Sequence, residues 1–177
     1  MFDKERRDKD MLVTSKEANK LLQQLEQEHR SLLSKEYDTK SFLAAVGEDV
    51  ESCRPEYDYA KVQDELAELE NKIIKLKHQI NRFNTETIVD GFDKTIDEML
   101  VYIPMLTRRK EKLNGMKNAL AKTREAVNMR STIIDYRYAN YDINKALEDY
   151  YATLEELSKA QVALDKVNVT KKFEVEL

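Results

Sequence analysis

Between Pro55 and Asn84 the apolar residues Val62, Leu66, Leu69, Ile73, Leu76, Ile80 and Phe83 recur at steps of 4, 3, 4, 3, 4 and 3. That spacing is three heptads of one helical stripe, so a helix is predicted over about 57–84 with its stripe turned toward another helix. Fully burying those side chains gains about 1.5–3 kcal/mol each. Ordering the backbone of the same stretch costs about 1–2 kcal/mol per residue, so this helix has to find partners. Between the stripe positions stand Glu65, Glu68 and Glu70, then Lys72, Lys75 and Lys77, a solvated face whose acidic start and basic end suit the helix dipole.

The same reading places a first helix over about 15–37, capped by Ser15, with Leu21, Leu22, Leu25, Leu32 and Leu33 on one side. Residues 38–56 lose the period, and Gly47 and the Arg54-Pro55 pair mark them as a packed connector. A third helix is predicted over about 93–127, capped by Asp93, on Ile96, Met99, Leu100, Ile103, Leu106, Leu113, Met116 and Leu120. Lys110 and Lys117 interrupt its stripe, and Pro104 removes a backbone donor from its interior. Asp142 caps a fourth helix over about 142–167, with Ile143, Leu147, Tyr150, Leu154, Leu157 and Leu164 on heptad steps and Gln161 as a polar member that would fix register. Alternation predicts short strands at about 131–138 (STIIDYRY) and 169–176. An isolated strand pair is marginal in water, so pairing inside an oligomer is the expected arrangement. The prediction is therefore an all-α fold of long antiparallel helical hairpins forming a coiled-coil bundle, with one or two short strands near the C-terminal end. Residues 15–177 are read as a single domain, preceded by a charged arm over 1–14 that holds eight ionisable side chains.

Composition agrees with long solvated helices: charged residues make up 36% of the 177, and there are only 3 Gly, 2 Pro and no Trp. The formal charge of -4 supplies no overall basic field for nucleic acid or anionic lipid. MFDKERRDKD lacks the apolar core of a secretory signal, and no run approaches the roughly 18 apolar residues of a membrane span. One cysteine, Cys53, cannot make an internal disulfide, so a cytoplasmic setting is expected.

Candidate chemistry adds little. Glu26 and His29 stand at the Glu-x-x-His spacing of bundle-core metal sites, but a metal pair needs two such motifs, and Lys75 precedes His78 at that offset. His29 is read as a solvated histidine and Cys53 as an inert thiol. The Arg108-Arg109-Lys110 cluster is flanked by Glu98 and Glu111, and nucleic acid is not expected as a partner. Gly47, Gly91 and Gly115 lie too far apart for a phosphate loop. No catalytic, metal or cofactor residues are assigned. Tyrosines gather at Tyr136, Tyr138, Tyr141, Tyr150 and Tyr151, where aromatics seal a helix-to-strand corner or a subunit contact more often than they form a base-stacking platform. The interface candidates are Tyr136, Tyr138 and Tyr141, with Phe173, Val175 and Leu177 of the final strand.

The segment Ile80-Asn81-Arg82-Phe83-Asn84-Thr85, followed by Gly91 and a capped helix, resembles uncharacterised bacterial proteins that include the septicolysin family. Tyr141-Asp142-Ile143, Val167-Asn168-Val169 and the closing Glu176-Leu177 extend the resemblance over most of residues 57–177. Val169 stands where that family usually has tryptophan. The resemblance implies a helical-hairpin subunit of a ring-like homo-oligomer, such as a hexamer, in bacterial cytoplasm, with no catalytic residues to carry over. The family's cytolysin-derived name suggests pores, for which no segment here is long and apolar enough. The function expected is thus a non-enzymatic assembly or interaction protein without cofactors. A binding module for nucleic acid or a protein partner is the alternative, and an enzyme comes third.

Overall fold

The computed structural model describes residues 11–125 and 134–177. Along them run β1 (Met11–Thr14), α1 (Ser15–Thr39), α2 (Val50–Cys53), α3 (Tyr59–Glu86), β2 (Ile88–Val89), β3 (Lys94–Thr95), α4 (Ile96–Lys117), β4 (Lys122–Arg124), β5 (Tyr136–Tyr138), α5 (Ile143–Thr170) and β6 (Lys172–Val175). The fold is mostly helical with small antiparallel strand pairs, as the periodicity predicts. By contacts the described residues group into two compact units, one over 11–84 with Asn168–Leu177 and one within Thr85–Val167.

In the first unit α1 and α3 lie antiparallel. All seven predicted stripe residues of α3 are buried or half-buried, whereas Ile74, beside the stripe, is 64% exposed. The facing stripe of α1 runs Ala18, Leu22, Leu25, His29, Leu32 and Glu36, again at heptad steps and withdrawn from solvent. Its first half packs with Leu76 and Ile80 into the apolar core, which β1 and β6 close with Val13 and Val175. The two strands pair antiparallel, Val13 against Phe173 and Met11 against Val175, and Phe173 stacks on Phe83 with ring centroids 4.3 Å apart.

Residues 11–14 therefore form a strand where the sequence reading has arm, and residues 1–10 lie outside the described residues. The helix begins one residue earlier in capping terms. Thr14, not Ser15, is the N-cap, accepting from the Glu17 N–H while Glu17 accepts from the Thr14 N–H, a full capping box. The connector holds the single turn α2, and Asp58 caps α3.

The second unit opens with the hairpin β2–β3, whose turn is Asp90-Gly91-Phe92-Asp93, with Gly91 at φ +86° and Asp93 at φ +46°. Asp93 is thus a left-handed turn residue and not the expected cap. That role falls to Thr95, again in a capping box, with Glu98. Helix α4 buries Ile96, Met99, Leu106 and Leu113, leaving Leu100 and Leu120 of the predicted stripe exposed. It ends at Lys117, ten residues before the expected boundary. The chain then forms β4, paired with β5 through Lys122–Tyr138, Thr123–Arg137 and Arg124–Tyr136. A three-residue strand of polar residues is set by its partner and leaves no periodic trace. The predicted strand at 131–138 is realised at Tyr136–Tyr138, and its residues 131–133 lie outside the described residues. Both predicted strands pair within the chain, β5 with β4 and β6 with β1, because each finds a complementary strand that the sequence reading counts as helix or arm.

Helix α5 runs antiparallel to α4, as the contacts Tyr102–Glu156, Lys117–Tyr150 and Tyr141–Met116 establish. Asp142 caps it as expected, accepting from the Asn144 and Lys145 N–H groups. Its inner stripe is Ala146, Tyr150, Thr153, Leu157, Ala160, Leu164 and Val167, an unbroken heptad series that is buried apart from the half-buried Tyr150. The predicted stripe shares three of these residues. Gln161 is exposed, and small residues fill positions that the sequence reading gives to the largest apolar side chains.

Candidate interaction surfaces

Polar groups that could begin a chemical site are engaged with one another along the helix seams. In the first unit the His29 ring Nε2 lies 3.1 Å from Glu70 Oε1, while Glu26 pairs with Lys77 at 2.7 Å. The Glu-x-x-His pair is thus divided between two partners on α3. The Lys77 ammonium, through its hydrogen bond and its charge, holds the Glu26 carboxyl below the ordinary range. Glu36 accepts from the Tyr57 hydroxyl at 2.9 Å and the Gln63 amide at 2.7 Å. Burial, followed by that hydrogen bond, raises the Tyr57 pKa. The second unit repeats the device: the Tyr102 hydroxyl donates to Glu156, which raises the phenol's pKa, and Lys94 Nζ sits 4.8 Å from the ring centroid. No group of three or more His, Cys, Asp or Glu among the described residues could hold a metal ion. Cys53 is half-buried and free, with its Sγ near Glu48 and Ser52.

The six interface candidates separate into two sets. Val175 is fully buried, Phe173 stacks on Phe83, and Leu177 packs on the same core, so these three complete the first unit's interior. Tyr136, Tyr138 and Tyr141 are exposed in the second unit. Register places Lys122, Arg124, Tyr136 and Tyr138 on one face of the β4–β5 ribbon. Lys122 Nζ lies 4.0 Å from the Tyr136 centroid and 5.4 Å from that of Tyr138. The Tyr141 hydroxyl donates to the Met116 carbonyl at 2.9 Å, tying α5's start to α4's end.

A larger surface escapes the sequence reading. One residue beyond its buried stripe α5 carries Leu147, Tyr151 and Leu154, and two beyond Ala160 it carries Val162, all exposed, with Tyr151 at 59% and Val162 at 66%. On α4 the residue one beyond buried Met99 is Leu100, 50% exposed. In an antiparallel pair the positions just beyond each stripe in the same rotational sense fall on one broad side of the hairpin, so Leu100 shares that side with the α5 residues. Contiguous exposed apolar side chains of this kind mark contact surfaces. The signal lies in the chain as a second apolar series on α5, concealed when Leu147 and Leu154 are counted with the core stripe.

No protein-family model matches the chain, and no curated protein matches it. Its backbone is similar to the crystal structure of a functionally unknown conserved protein from Corynebacterium diphtheriae, with a TM-score of 0.56 and 16% sequence identity, over 92% of this chain and 99% of that one. At this identity the likeness speaks for the fold alone. No helix among the described residues is long and apolar enough to cross a membrane.

Proposed function

We propose that the chain is a non-enzymatic subunit of a homo-oligomeric assembly working in a reducing, cytoplasmic setting. The exposed apolar side of the α4–α5 hairpin carries this reading, since side chains such as Leu100, Leu154 and Val162 lose about 25 cal/mol of favourable free energy per Å² while they face water. Two further features support it. The polar clusters at Glu36, His29 and Tyr102 are occupied in tying helices together, and the resemblance to the septicolysin family implies a ring-like oligomer. Light scattering coupled to size exclusion should return a multiple of 20.8 kDa. A monomeric mass at all concentrations would overturn the proposal.

A second reading, a nucleic-acid contact, is favoured by one observation: the ribbon face that joins Lys122 and Arg124 to Tyr136 and Tyr138 offers cations beside stackable rings. Copurifying nucleic acid that is released by salt and absent from a Lys122→Ala/Tyr138→Ala variant would establish it.

A further inference from the structure

We infer that the outer stripe of α5 is a two-fold contact between two copies of this chain, packed antiparallel with the axis beside Ser158. The inference rests on the homo-oligomer reading above and specifies its geometry.

The stripe runs Leu147, Tyr151, Leu154, Ser158, Val162 and Asp165, and every member is exposed. Its steps from Leu147 to Ser158 are 4, 3 and 4, an 11-residue period that keeps a straight helix face in line. Outward from Ser158, the stripe is symmetric. Four residues away in either direction stand Leu154 and Val162, and seven away stand Tyr151 and Asp165. A two-fold axis perpendicular to the helix at Ser158 therefore seats Leu154 on the partner's Val162. It also brings the Tyr151 hydroxyl toward the partner's Asp165 carboxylate. Ser158, the smallest member, lies at the crossing, where side-chain size sets how closely two helices approach.

Charge fixes both the occupant and its direction. One residue beyond the stripe, on a single side, α5 carries Glu148 and Glu155 along its first half and Lys159 and Lys166 along its second. Antiparallel two-fold packing brings the same side of both helices together. Glu155 then comes within about 3 Å of helix rise of the partner's Lys159, and Glu148 within the same distance of the partner's Lys166. A parallel two-fold pair would leave the charged flanks of the two helices on opposite edges of the contact, with no such match. Within the chain Lys159 reaches Glu155 at 2.6 Å, an exposed pair that re-pairs across the contact at little cost. Tyr102–Glu156 places Leu100 near the level of Ser158, which widens the face to two helices. At 1.5 Å rise per residue and about 10 Å per helix, 16 residues of such a face span about 24 by 20 Å. That footprint of about 480 Å² is the size of a weak, reversible contact, below the roughly 800 Å² per partner of a stable one.

The test uses the full chain with Cys53→Ser, so that introduced thiols are the only ones. Ser158→Cys in this background should form a disulfide-linked dimer under mild oxidation, because a residue on a two-fold axis meets its own copy. Gln161→Cys, which stands three residues from the axis in each copy and so about 9 Å from its own copy along the helix, should not. Leu154→Glu should lower the mass seen by light scattering. Glu155→Lys should weaken association at least tenfold, and adding Lys159→Glu should restore it. If Leu154→Glu keeps both its helical circular dichroism and the wild-type mass, the assembly stands and this contact is wrong. Efficient cross-linking of Gln161→Cys but not Ser158→Cys overturns the axis, and a wild-type monomer up to about 100 µM removes both proposals.

Discussion

Leu76 and Ile74 sit two residues apart on α3, and the fold assigns them opposite consequences when cut back to alanine. Leu76 is 0% exposed, packed with Ala18, Leu25 and Ile80 where β1 and β6 close over the helix pair. Leu76→Ala removes about three methylene equivalents at about 0.8 kcal/mol each and leaves a cavity that a seam held from two sides cannot fully collapse. The combined cost is about 3 kcal/mol, inside the 2–5 range of such substitutions. Ile74, 64% exposed, loses almost no buried surface. Alanine's better helix propensity offsets what little is lost, so Ile74→Ala should change stability by less than about 0.5 kcal/mol. Urea unfolding followed by far-ultraviolet circular dichroism measures the contrast directly. With a slope of about 1–3 kcal/mol per molar, the Leu76→Ala midpoint should fall by about 1–3 M while that of Ile74→Ala stays in place. Equal midpoints for the two variants would refute the packing of α1 on α3.

The register of α5 is open to a similar comparison. Ala160→Leu should overpack the buried stripe and cost about 1–3 kcal/mol, whereas Gln161→Leu on the exposed side should be within about 0.5 kcal/mol of wild type; the opposite ranking in urea melts would restore the stripe read from sequence. Acid should weaken the first unit. The Glu17 carboxyl is held below its ordinary value by the Thr14 N–H and then the Thr14 hydroxyl, and that of Glu26 by Lys77. Both lowered groups contribute stability that is complete above the ordinary carboxylate range and disappears as pH falls through their depressed values in the folded chain. Urea midpoints measured from neutral pH down to about pH 3 should decline less steeply in a Glu17→Gln/Glu26→Gln variant; an unchanged slope would assign the acid sensitivity elsewhere.

How far the sequence can be read depends on how each element is specified. The stripe of α3 is self-evident, since large aliphatic residues occupy nearly every heptad position and burial follows the stripe without exception. Helix α5 misleads for a physical reason. Its true inner stripe alternates large residues with Ala146, Thr153 and Ala160, and small side chains carry a weak hydropathy signal even where close helix approach requires them. The larger Leu147 and Leu154 thus draw the predicted stripe one step around the helix, hiding the second apolar side and with it the most extensive candidate contact. Strands β1 and β4 are set by partners farther along the chain, with register that no local window contains. The caps are written in the chain: Thr14-x-x-Glu17 and Thr95-x-x-Glu98 are both capping boxes, each overshadowed by a plausible capping residue one or two positions away.

The pairing of Met11 with Val175 dictates an order of events during synthesis. The two residues lie about 160 positions apart, and closing a loop of that length costs about 4–5 kcal/mol of chain entropy beyond a fixed term. The second unit is one uninterrupted stretch, Thr85–Val167, and can mature as soon as its own last helix has left the ribosome. The first unit must wait for β6, with β1 unpaired and its core uncapped for most of translation. A circularly permuted chain that joins β6 directly ahead of β1 would remove that delay, and its refolding should show the slowest phase accelerated with the native spectrum unchanged.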